Sequence, residues 1–213
     1  MKEKYKSGFA AIIGMPNVGK STLLNKIAGQ KIAIISEKPQ TTRNKILAIH
    51  TTDTEQIIFT DTPGIHKPHN KLGEFMVNAA NETMRDVDVL LFVIDATRPI
   101  QDVEREIVKN IAKTGLPCIL VMNKVDLVEK SNLLPMIADY SSMYDFESIV
   151  PMSAKSGDGV GVLLNDIKNY IPEGPQFYDE DTITDQPEKQ IAAEIIREKM
   201  LWLLDKEIPH GIA

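Results

Sequence analysis

The sequence is poor in cysteine and has no long hydrophobic run. Its one cysteine, Cys118, excludes an intrachain disulfide and indicates a reducing compartment. The apolar residues around it favour a small buried side chain over a reactive thiol. The longest uninterrupted apolar runs, such as Val89 to Ile94, are much too short to span a bilayer. These scarcities predict a cytoplasmic protein with an ordinary hydrophobic core.

Positive charge is also in short supply. The 213 residues include 24 Lys and Arg against 30 Asp and Glu, a net charge of -6. That balance argues against a broadly basic nucleic-acid surface, so an RNA contact would need a local patch or a further segment. Lys2, Lys4 and Lys6 precede only a short apolar stretch, which predicts a strand and no signal peptide. With 43% hydrophobic residues, the chain can bury one full domain plus a smaller piece.

That first predicted strand leads into the pattern G-x-x-x-x-G-K-S, and an apolar-periodic helix ending at Gly29 follows it. The pattern is the phosphate-binding P-loop, whose glycines let backbone N–H groups approach a polyphosphate at a helix N-terminus. Lys20 would neutralise the β- and γ-phosphates, and the Ser21 hydroxyl would bind Mg²⁺. The predicted phosphate site comprises Gly14, Met15, Pro16, Asn17, Val18, Gly19, Lys20, Ser21 and Thr22.

Residues 30–44 lack periodicity and predict a loop, in which Thr41 or Thr42 could reach Mg²⁺. Two strands, Lys45 to Thr52 and Glu55 to Thr60, then form a predicted antiparallel hairpin. The second strand delivers Asp61 at its carboxyl end, where ligand residues lie in α/β sheets. An aspartate there would hold Mg²⁺ through a water, and the Gly64 N–H could sense a γ-phosphate. This part of the predicted site comprises Asp61, Thr62, Pro63, Gly64 and Ile65.

A second nucleotide signature follows the predicted strand Leu116 to Met122. It comprises Asn123, Lys124, Val125 and Asp126. The Asp126 carboxylate can accept two hydrogen bonds from guanine, whereas the N1 acceptor of adenine would face it unpaired, which argues against an ATP-dependent kinase. Ser153, Ala154 and Lys155 follow another short strand, Ser148 to Met152, where the Ala154 N–H could donate to guanine O6. Guanine is therefore the predicted base.

The rest of the chain supplies helices and a change of composition. Helices are predicted at Leu72 to Arg85, Val103 to Ala112, Leu133 to Tyr144 and Val160 to Tyr170. His66 and His69 are typical of solvated loop histidines. Acidic residues without basic ones between Glu173 and Glu188 indicate a solvated linker, and a further helical pattern begins after Pro187. We expect that helix to open a second domain that the chain does not complete.

Five motifs in order carry a family resemblance that covers essentially the whole chain. They are Gly14 to Ser21, Pro39-Gln40-Thr41-Thr42-Arg43, Asp61-Thr62-Pro63-Gly64-Ile65-His66, Asn123-Lys124-Val125-Asp126 and Ser153-Ala154-Lys155. The set resembles translation-factor-related GTPases of the TRAFAC class, and more closely the Era family. The resemblance implies a P-loop NTPase fold: a three-layer α/β/α domain with a six-stranded, mostly parallel sheet, one antiparallel edge strand and a C-terminal helix of an incomplete second domain. Residues 1–172 would form the nucleotide domain, 173–187 an acidic linker and 188–213 the start of a KH-type RNA-binding domain.

The same resemblance implies the chemistry. Ser21, Thr42 and Asp61 would hold Mg²⁺, and Lys20, Thr42 and Asn17 would act in GTP hydrolysis to GDP and phosphate. Ile65 stands where Ras-like enzymes orient water with a glutamine, so turnover should be slow. Asn17 would either help bind an activating K⁺ or merely stabilise its loop. Arg43 as an arginine finger is a weaker alternative.

Family resemblance also implies the partners. They are GTP and GDP, small-subunit ribosomal RNA and the small ribosomal subunit, with a role in its assembly and peripheral association with the inner face of the cell membrane. We expect a monomer. No Gly-x-x-Gly loop, the KH signature, follows Pro187, so RNA binding is an expectation for the family more than for this chain. Two alternatives stay open: another assembly or tRNA-modification GTPase, and a nucleotide-gated binding module with negligible turnover.

Overall fold

The computed structural model describes residues 4–34, 46–61 and 87–203, with the side chains of residue 61 and residues 201–203 outside that description. Six strands and five α-helices lie within these ranges. The strands are β1 (Lys6–Ile13), β2 (Ile46–Thr51), β3 (Glu55–Asp61), β4 (Val89–Asp95), β5 (Cys118–Asn123) and β6 (Ser148–Pro151). The helices are α1 (Lys20–Ala28), α2 (Asp102–Thr114), α3 (Lys130–Met143), α4 (Val160–Ile167) and α5 (Glu188–Leu203).

All six strands form one sheet in the order β2-β3-β1-β4-β5-β6. Every neighbouring pair is parallel except β2 and β3, which are joined as an antiparallel hairpin at one edge. The predicted six-stranded, mostly parallel sheet with one antiparallel edge strand is confirmed. Because five strands share a direction, the loops after β1, β3, β4, β5 and β6 converge on one edge of the sheet. We call this the carboxyl edge, and the opposite one the amino edge.

Helices cover both faces of the sheet, as its sequence pattern predicts. Neighbouring residues of β1 point to opposite sides: Ile12 packs with α1 and α4, and Ile13 packs with α2 and α3. The central strand β4 is buried at all seven positions, which explains its nearly continuous apolar sequence. Cys118 lies in the second of these cores with a fully buried thiol, and burial raises its pKa to about 12. It therefore packs as a small apolar side chain.

Predicted and observed boundaries differ mainly at helix ends. Helix α3 begins at Lys130 and includes Pro135 in its second turn, where the missing N–H removes one intrahelical hydrogen bond. Helix α4 ends at Ile167 and turns continue to residue 170. The predicted helix Leu72 to Arg85 lies outside the described residues, as do the loop centred on Thr41 and Thr42, and both loop histidines, His66 and His69.

The acidic segment 173–187 lies against the hairpin. Its six acidic side chains, counted to Glu188, are exposed, but its backbone is hydrogen-bonded to the sheet. Gln56 binds the backbone of Phe177 and Tyr178, and Phe177 contacts the Phe9 ring at 5.1 Å between centroids. Further along, the Ile49 N–H donates to Ile183 O. The division of the chain at residues 172 and 187 stays a prediction.

Helix α5 contacts the sheet domain through charge. Glu198 is buried, and its Oε2 lies 2.6 Å from Nζ of Lys31, which follows α1. Two apolar side chains of the same helix, Ile196 and Met200, are exposed. In the described part of the chain, no helix is both long enough and apolar enough to cross a membrane.

Candidate functional site

The P-loop connects β1 to α1 in a conformation that depends on two glycines. Gly14 has φ +149° and Gly19 has φ +101°, both strained for residues with a side chain. A Cβ at Gly14 would lie 2.3 Å from Val93 O, and one at Gly19 would lie 2.1 Å from Asn123 Nδ2. Both glycines are thus required by space as well as by backbone angle. The loop packs directly on β4 and on the last residue of β5.

Asn17 occupies the tip of this loop with φ +64°. Asparagine tolerates the left-handed conformation better than most residues. Its side chain is exposed, and its carbonyl accepts a hydrogen bond from Lys124 Nζ at 2.8 Å. The backbone geometry alone therefore accounts for an asparagine here.

Lys20 is the first residue of α1, and its ammonium is buried within the P-loop. Nζ donates to Met15 O at 2.8 Å and to Gly14 O at 3.2 Å, and the residue is 6% exposed. These bonds hold the positive charge inside the curve of the loop, beside the helix N-terminus. Anions are stabilised at that position by the helix dipole and by free backbone N–H groups.

Asn123, the last residue of β5, joins three loops of the carboxyl edge. Its Nδ2 donates to Val18 O in the P-loop at 2.8 Å, and its Oδ1 accepts from the Ala154 N–H at 2.9 Å. Its own carbonyl accepts from the Ala96 N–H at 2.9 Å. The first two bonds bring together three sequence motifs, with partners 105 and 31 residues from Asn123 in the chain. The Ala154 N–H predicted to donate to guanine O6 already has an acceptor in the protein.

Lys124 and Asp126 follow in a tight turn. Lys124 has φ +66°, and a 3₁₀ turn spans Val125–Leu127. Lys124 Nζ bonds to Asn17 O and lies 2.7 Å from Asp95 Oδ2. The Asp126 side chain is exposed and has no hydrogen-bond partner among the described residues. Its carboxylate is therefore accessible to a ligand beside the P-loop.

The loop after β6 completes this side of the site. Ser153 and Ala154 are buried, whereas Lys155 is exposed. The Ser153 backbone is held by the Asp158 carbonyl at 2.9 Å and by the Gly157 N–H at 2.8 Å. These bonds fix the loop conformation beside Asn123.

The predicted metal ligands are placed only in part. Ser21 is the second residue of α1, and Asp61 ends β3 in register with Ile12, two residues before the P-loop begins. A serine hydroxyl and a carboxylate are oxygen ligands of the kind that Mg²⁺ prefers, usually together with substrate phosphates. Thr42, Thr62, Pro63, Gly64 and Ile65 lie outside the described residues. Where the structure is described, no three His, Cys, Asp or Glu side chains cluster as a metal site.

Sequence reasoning missed Asp95, which ends β4 and contacts Lys124. Its carboxylate is buried and also binds Thr97 and Arg98. Asp95 could have been identified by its place directly after an apolar run, because ligand residues are expected at the carboxyl end of a central parallel strand. Asn123, at the start of the second nucleotide signature, is predicted from the sequence to tie the loops together, and its amide does so by joining Val18 to Ala154.

Comparison with known proteins gives consistent results. A family model described as 50S ribosome-binding GTPase matches residues 9–124. The chain is 56% identical over 210 residues to GTPase Era of Ruminiclostridium cellulolyticum. The matched region covers 98% of this chain and 70% of that protein. A solved structure of Era with MgGDPNP and nucleotides 1506–1542 of 16S ribosomal RNA matches with TM-score 0.91 and 43% identity. A single-residue variant of Aquifex aeolicus Era bound to GDP.AlF4- matches with TM-score 0.90 and 43% identity. Each of these structures is matched over 96% of this chain and 70% of its own length.

The sequence match and the fold match extend over nearly all of this chain, far beyond the P-loop. Both matches include the P-loop and the loop after β5 that carries Lys124 and Asp126. The chain belongs to the Era family of GTPases.

Proposed function

We propose that the carboxyl edge binds GTP with Mg²⁺, hydrolyses it to GDP and phosphate, and couples the bound nucleotide to binding of small-subunit ribosomal RNA. The observation that carries the proposal is the Asn123 amide, which fixes the phosphate loop and the two base loops to one another at 2.8 and 2.9 Å. A site built from these three loops would hold a phosphate chain at the P-loop end and a base at the end formed by the other two loops. Hydrolysis would then alter the phosphate end without moving the base end.

The phosphate end supplies charge and direction. Lys20 Nζ lies inside the curve of the P-loop and donates to two backbone carbonyls. With nucleotide bound, it would instead donate to the charged oxygens of the β- or γ-phosphate, a stronger interaction. Backbone N–H groups at the start of α1 add further donors. Phosphoryl transfer depends mainly on positioning and electrostatic stabilisation, which this arrangement provides.

The metal would be held by Ser21 and Asp61, with Thr42 as a further ligand on the family pattern. Bound Mg²⁺ would neutralise charge that develops on the phosphate oxygens. The support for it is the oxygen chemistry of the two described positions and their proximity to the P-loop through the Ile12 register. A similar Era protein binds MgGDPNP.

The base end would select guanine through Asp126. We propose calorimetric titration of GDP, ADP and xanthosine diphosphate, with Mg²⁺ present, into the wild type and Asp126→Asn. The wild type should bind GDP and not ADP. Loss of two hydrogen bonds to a charged acceptor should weaken GDP binding about a hundredfold or more. The asparagine amide should favour xanthine, whose C2 carbonyl accepts where guanine donates.

The matched control for this titration is Asp139→Asn, an exposed aspartate on α3, which should leave the GDP affinity unchanged. Equal binding of ADP by the wild type would contradict the guanine assignment. An unchanged GDP affinity in Asp126→Asn would contradict the role given to that carboxylate.

The RNA proposal rests on a similar Era protein that holds nucleotides 1506–1542 of 16S ribosomal RNA. We propose that this chain's family role is in small-subunit assembly, in the cytoplasm, with the nucleotide state controlling RNA affinity. The test is a titration of that 16S segment into the full-length native protein with GDP or with a non-hydrolysable GTP analogue. Tighter binding in the triphosphate state would support the proposal. Equal binding of a large-subunit RNA fragment of the same length would contradict it.

Potassium activation is the second part of the proposed chemistry. Asn17 lies exposed at the loop tip, where its side chain would face a nucleotide held by the P-loop. We propose that K⁺ accelerates turnover and Na⁺ does not, and that Asn17→Ala removes the difference while retaining GDP binding. Equal turnover in both salts would leave Asn17 with only a backbone role. Negligible turnover in both would favour a nucleotide-gated binding module.

A further inference from the structure

Asp95 is a buried carboxylate at the carboxyl end of β4, with a total exposure of 4%. Both of its oxygens are used. Oδ1 accepts from the Thr97 N–H at 3.0 Å and from the Thr97 hydroxyl at 2.6 Å. Oδ2 lies 2.7 Å from Lys124 Nζ and 3.2 Å from Arg98 Nε. Thr97 thus fixes the orientation of the carboxylate, and Oδ2 faces the lysine.

Lys124 therefore lies between a carboxylate and the P-loop. Its ammonium contacts Asp95 Oδ2 on one side and donates to Asn17 O on the other, at 2.7 and 2.8 Å. Because the Lys124 backbone is held in the turn after β5 and its ammonium is held by these two contacts, the methylene groups between them have little freedom. Burial raises the pKa of Asp95, but hydrogen bonds from Lys124 and Thr97 outweigh it and lower the pKa overall, so the carboxylate is charged at neutral pH.

We propose that Asp95 is a positioning residue for nucleotide binding, which holds Lys124 so that its stem forms one wall for the base and its ammonium braces the P-loop. The inference rests on the proposed guanine-nucleotide function of the site. Asp95 touches no part of the nucleotide and acts through Lys124 alone. Without it, the flexible lysine side chain must be ordered when the nucleotide binds, which should weaken GDP binding about three- to tenfold.

Another reading of Asp95 is purely structural, since its bonds to Thr97 shape the turn after β4. The two readings differ in their dependence on Lys124. A structural role would reduce GDP affinity whether or not Lys124 is present, whereas a positioning role disappears when Lys124 is removed. A double-mutant cycle separates them.

The experiment measures GDP affinity by calorimetry in the wild type, Asp95→Asn, Lys124→Met and the double variant. In Asp95→Asn the oxygen is kept facing Thr97, because the Thr97 N–H needs an acceptor, and the new NH₂ group then faces the lysine donor. We expect a three- to tenfold loss in the Lys124 background and less than twofold in the Lys124→Met background. An equal loss in both backgrounds, or no loss in the first, would overturn the inference.

Two controls use neighbouring residues. Glu104→Gln removes another buried carboxylate, in the first turn of α2, which accepts a hydrogen bond from the Gln101 N–H at 2.8 Å. This change should leave GDP affinity within twofold. Arg98→Ala removes the other cation at Asp95, one that is half exposed, and should also leave it within twofold. A larger loss in Arg98→Ala than in Asp95→Asn would overturn the inference, because the carboxylate would then act through the wrong cation.

A thermal melt without nucleotide shows whether Asp95→Asn folds. If it does not, a second variant tests the same inference. Thr97→Val removes the hydroxyl that orients the carboxylate at an exposed position. It should weaken GDP binding about twofold, and only when Lys124 is present. A wild type that does not bind GDP would overturn the proposed function itself, whereas normal binding that is insensitive to Asp95 and Thr97 would overturn this inference alone.

Discussion

Two buried side-chain amides, those of Asn123 and Gln56, make the same kinds of hydrogen bond at opposite edges of the sheet. Asn123, at the carboxyl edge, is 3% exposed and binds Val18 O and the Ala154 N–H. Gln56, near the amino edge, is fully buried. Its Nε2 donates to Thr51 Oγ1 and Tyr178 O, and its Oε1 accepts from the N–H groups of residues 177 and 178. Each amide joins segments that are far apart in sequence.

The difference between them lies in what they join. Asn123 links three loops that all follow parallel strands, so its bonds define the shape of a cleft. Gln56 links a strand to the segment after α4, at the edge where the parallel strands begin. A buried amide therefore indicates function only in combination with sheet direction, because it is direction that gathers loops at one edge.

Of the changes that test this contrast between the two amides, Asn123→Ala should have the largest effect. The change leaves Val18 O and the Ala154 N–H without their partners and loosens the P-loop from the base loops. We expect unfolding free energy to fall by about 2 kcal/mol and GDP affinity to fall roughly tenfold to a hundredfold. Thermal melting without nucleotide and calorimetry with GDP measure the two effects separately.

Asn132→Ala, at an exposed position on α3, is the matched control and should change neither quantity. If Asn123→Ala lost stability but kept GDP affinity, the contrast between the two edges would fail.

Gln56→Ala should have an intermediate effect, on stability alone. The partly buried backbone groups of Phe177 and Tyr178 lose their partners, which should cost about 2 kcal/mol and release the segment from the sheet. We expect faster chymotrypsin cleavage after these aromatic residues and unchanged GDP affinity. The control is Gln176→Ala, since the exposed Gln176 binds only the Tyr5 hydroxyl at 3.0 Å. A tenfold loss of GDP affinity in Gln56→Ala would show that the amino edge contributes to nucleotide binding.

The smallest effect should come from Glu55, whose Oε1 lies 2.7 Å from Lys168 Nζ. Burial raises the pKa of this carboxyl, but hydrogen bonds from Lys168, Thr54 and Thr52 outweigh it, so its pKa lies below the usual 4.5. A lowered folded-state pKa stabilises the protein above pH 4.5, and this contribution is lost as the pH falls through the folded value.

Glu55→Gln should therefore cost about 1 kcal/mol at pH 7 and progressively less below pH 4.5. Denaturant unfolding between pH 3 and pH 7 measures the difference between the two proteins. A difference that grew toward low pH would contradict the assigned direction of the pKa.

Much of the fold followed from sequence because local pattern and position agreed. The seven buried positions of β4 appear in sequence as an apolar run, and the P-loop glycines predict a tight turn between strand and helix. The hairpin was read from Thr52, Asp53 and Thr54, and the structure places the turn there. The antiparallel edge strand followed because a short turn joins β2 to β3, whereas parallel neighbours need a longer crossover.

The features that sequence did not predict involve contacts between distant segments. Acidic composition correctly suggested exposed carboxylates in residues 173–187, but not that Gln56 holds the backbone there. Asp95 only follows an apolar run in the sequence, and its partner Lys124 lies 29 residues later. Such pairings depend on the tertiary arrangement of loops, which no local pattern records.

The position of Ile183 and Thr184 beside β2 has a consequence for association. The outer strand of a sheet carries free backbone groups that can recruit a strand from another molecule and begin aggregation. Here the Ile49 N–H is bonded to Ile183 O at 2.8 Å, and Leu47 O accepts from the Thr184 hydroxyl at 2.7 Å. The acidic side chains beside these bonds also repel like-charged neighbours. The segment after α4 thus shields the hairpin edge from intermolecular strand pairing.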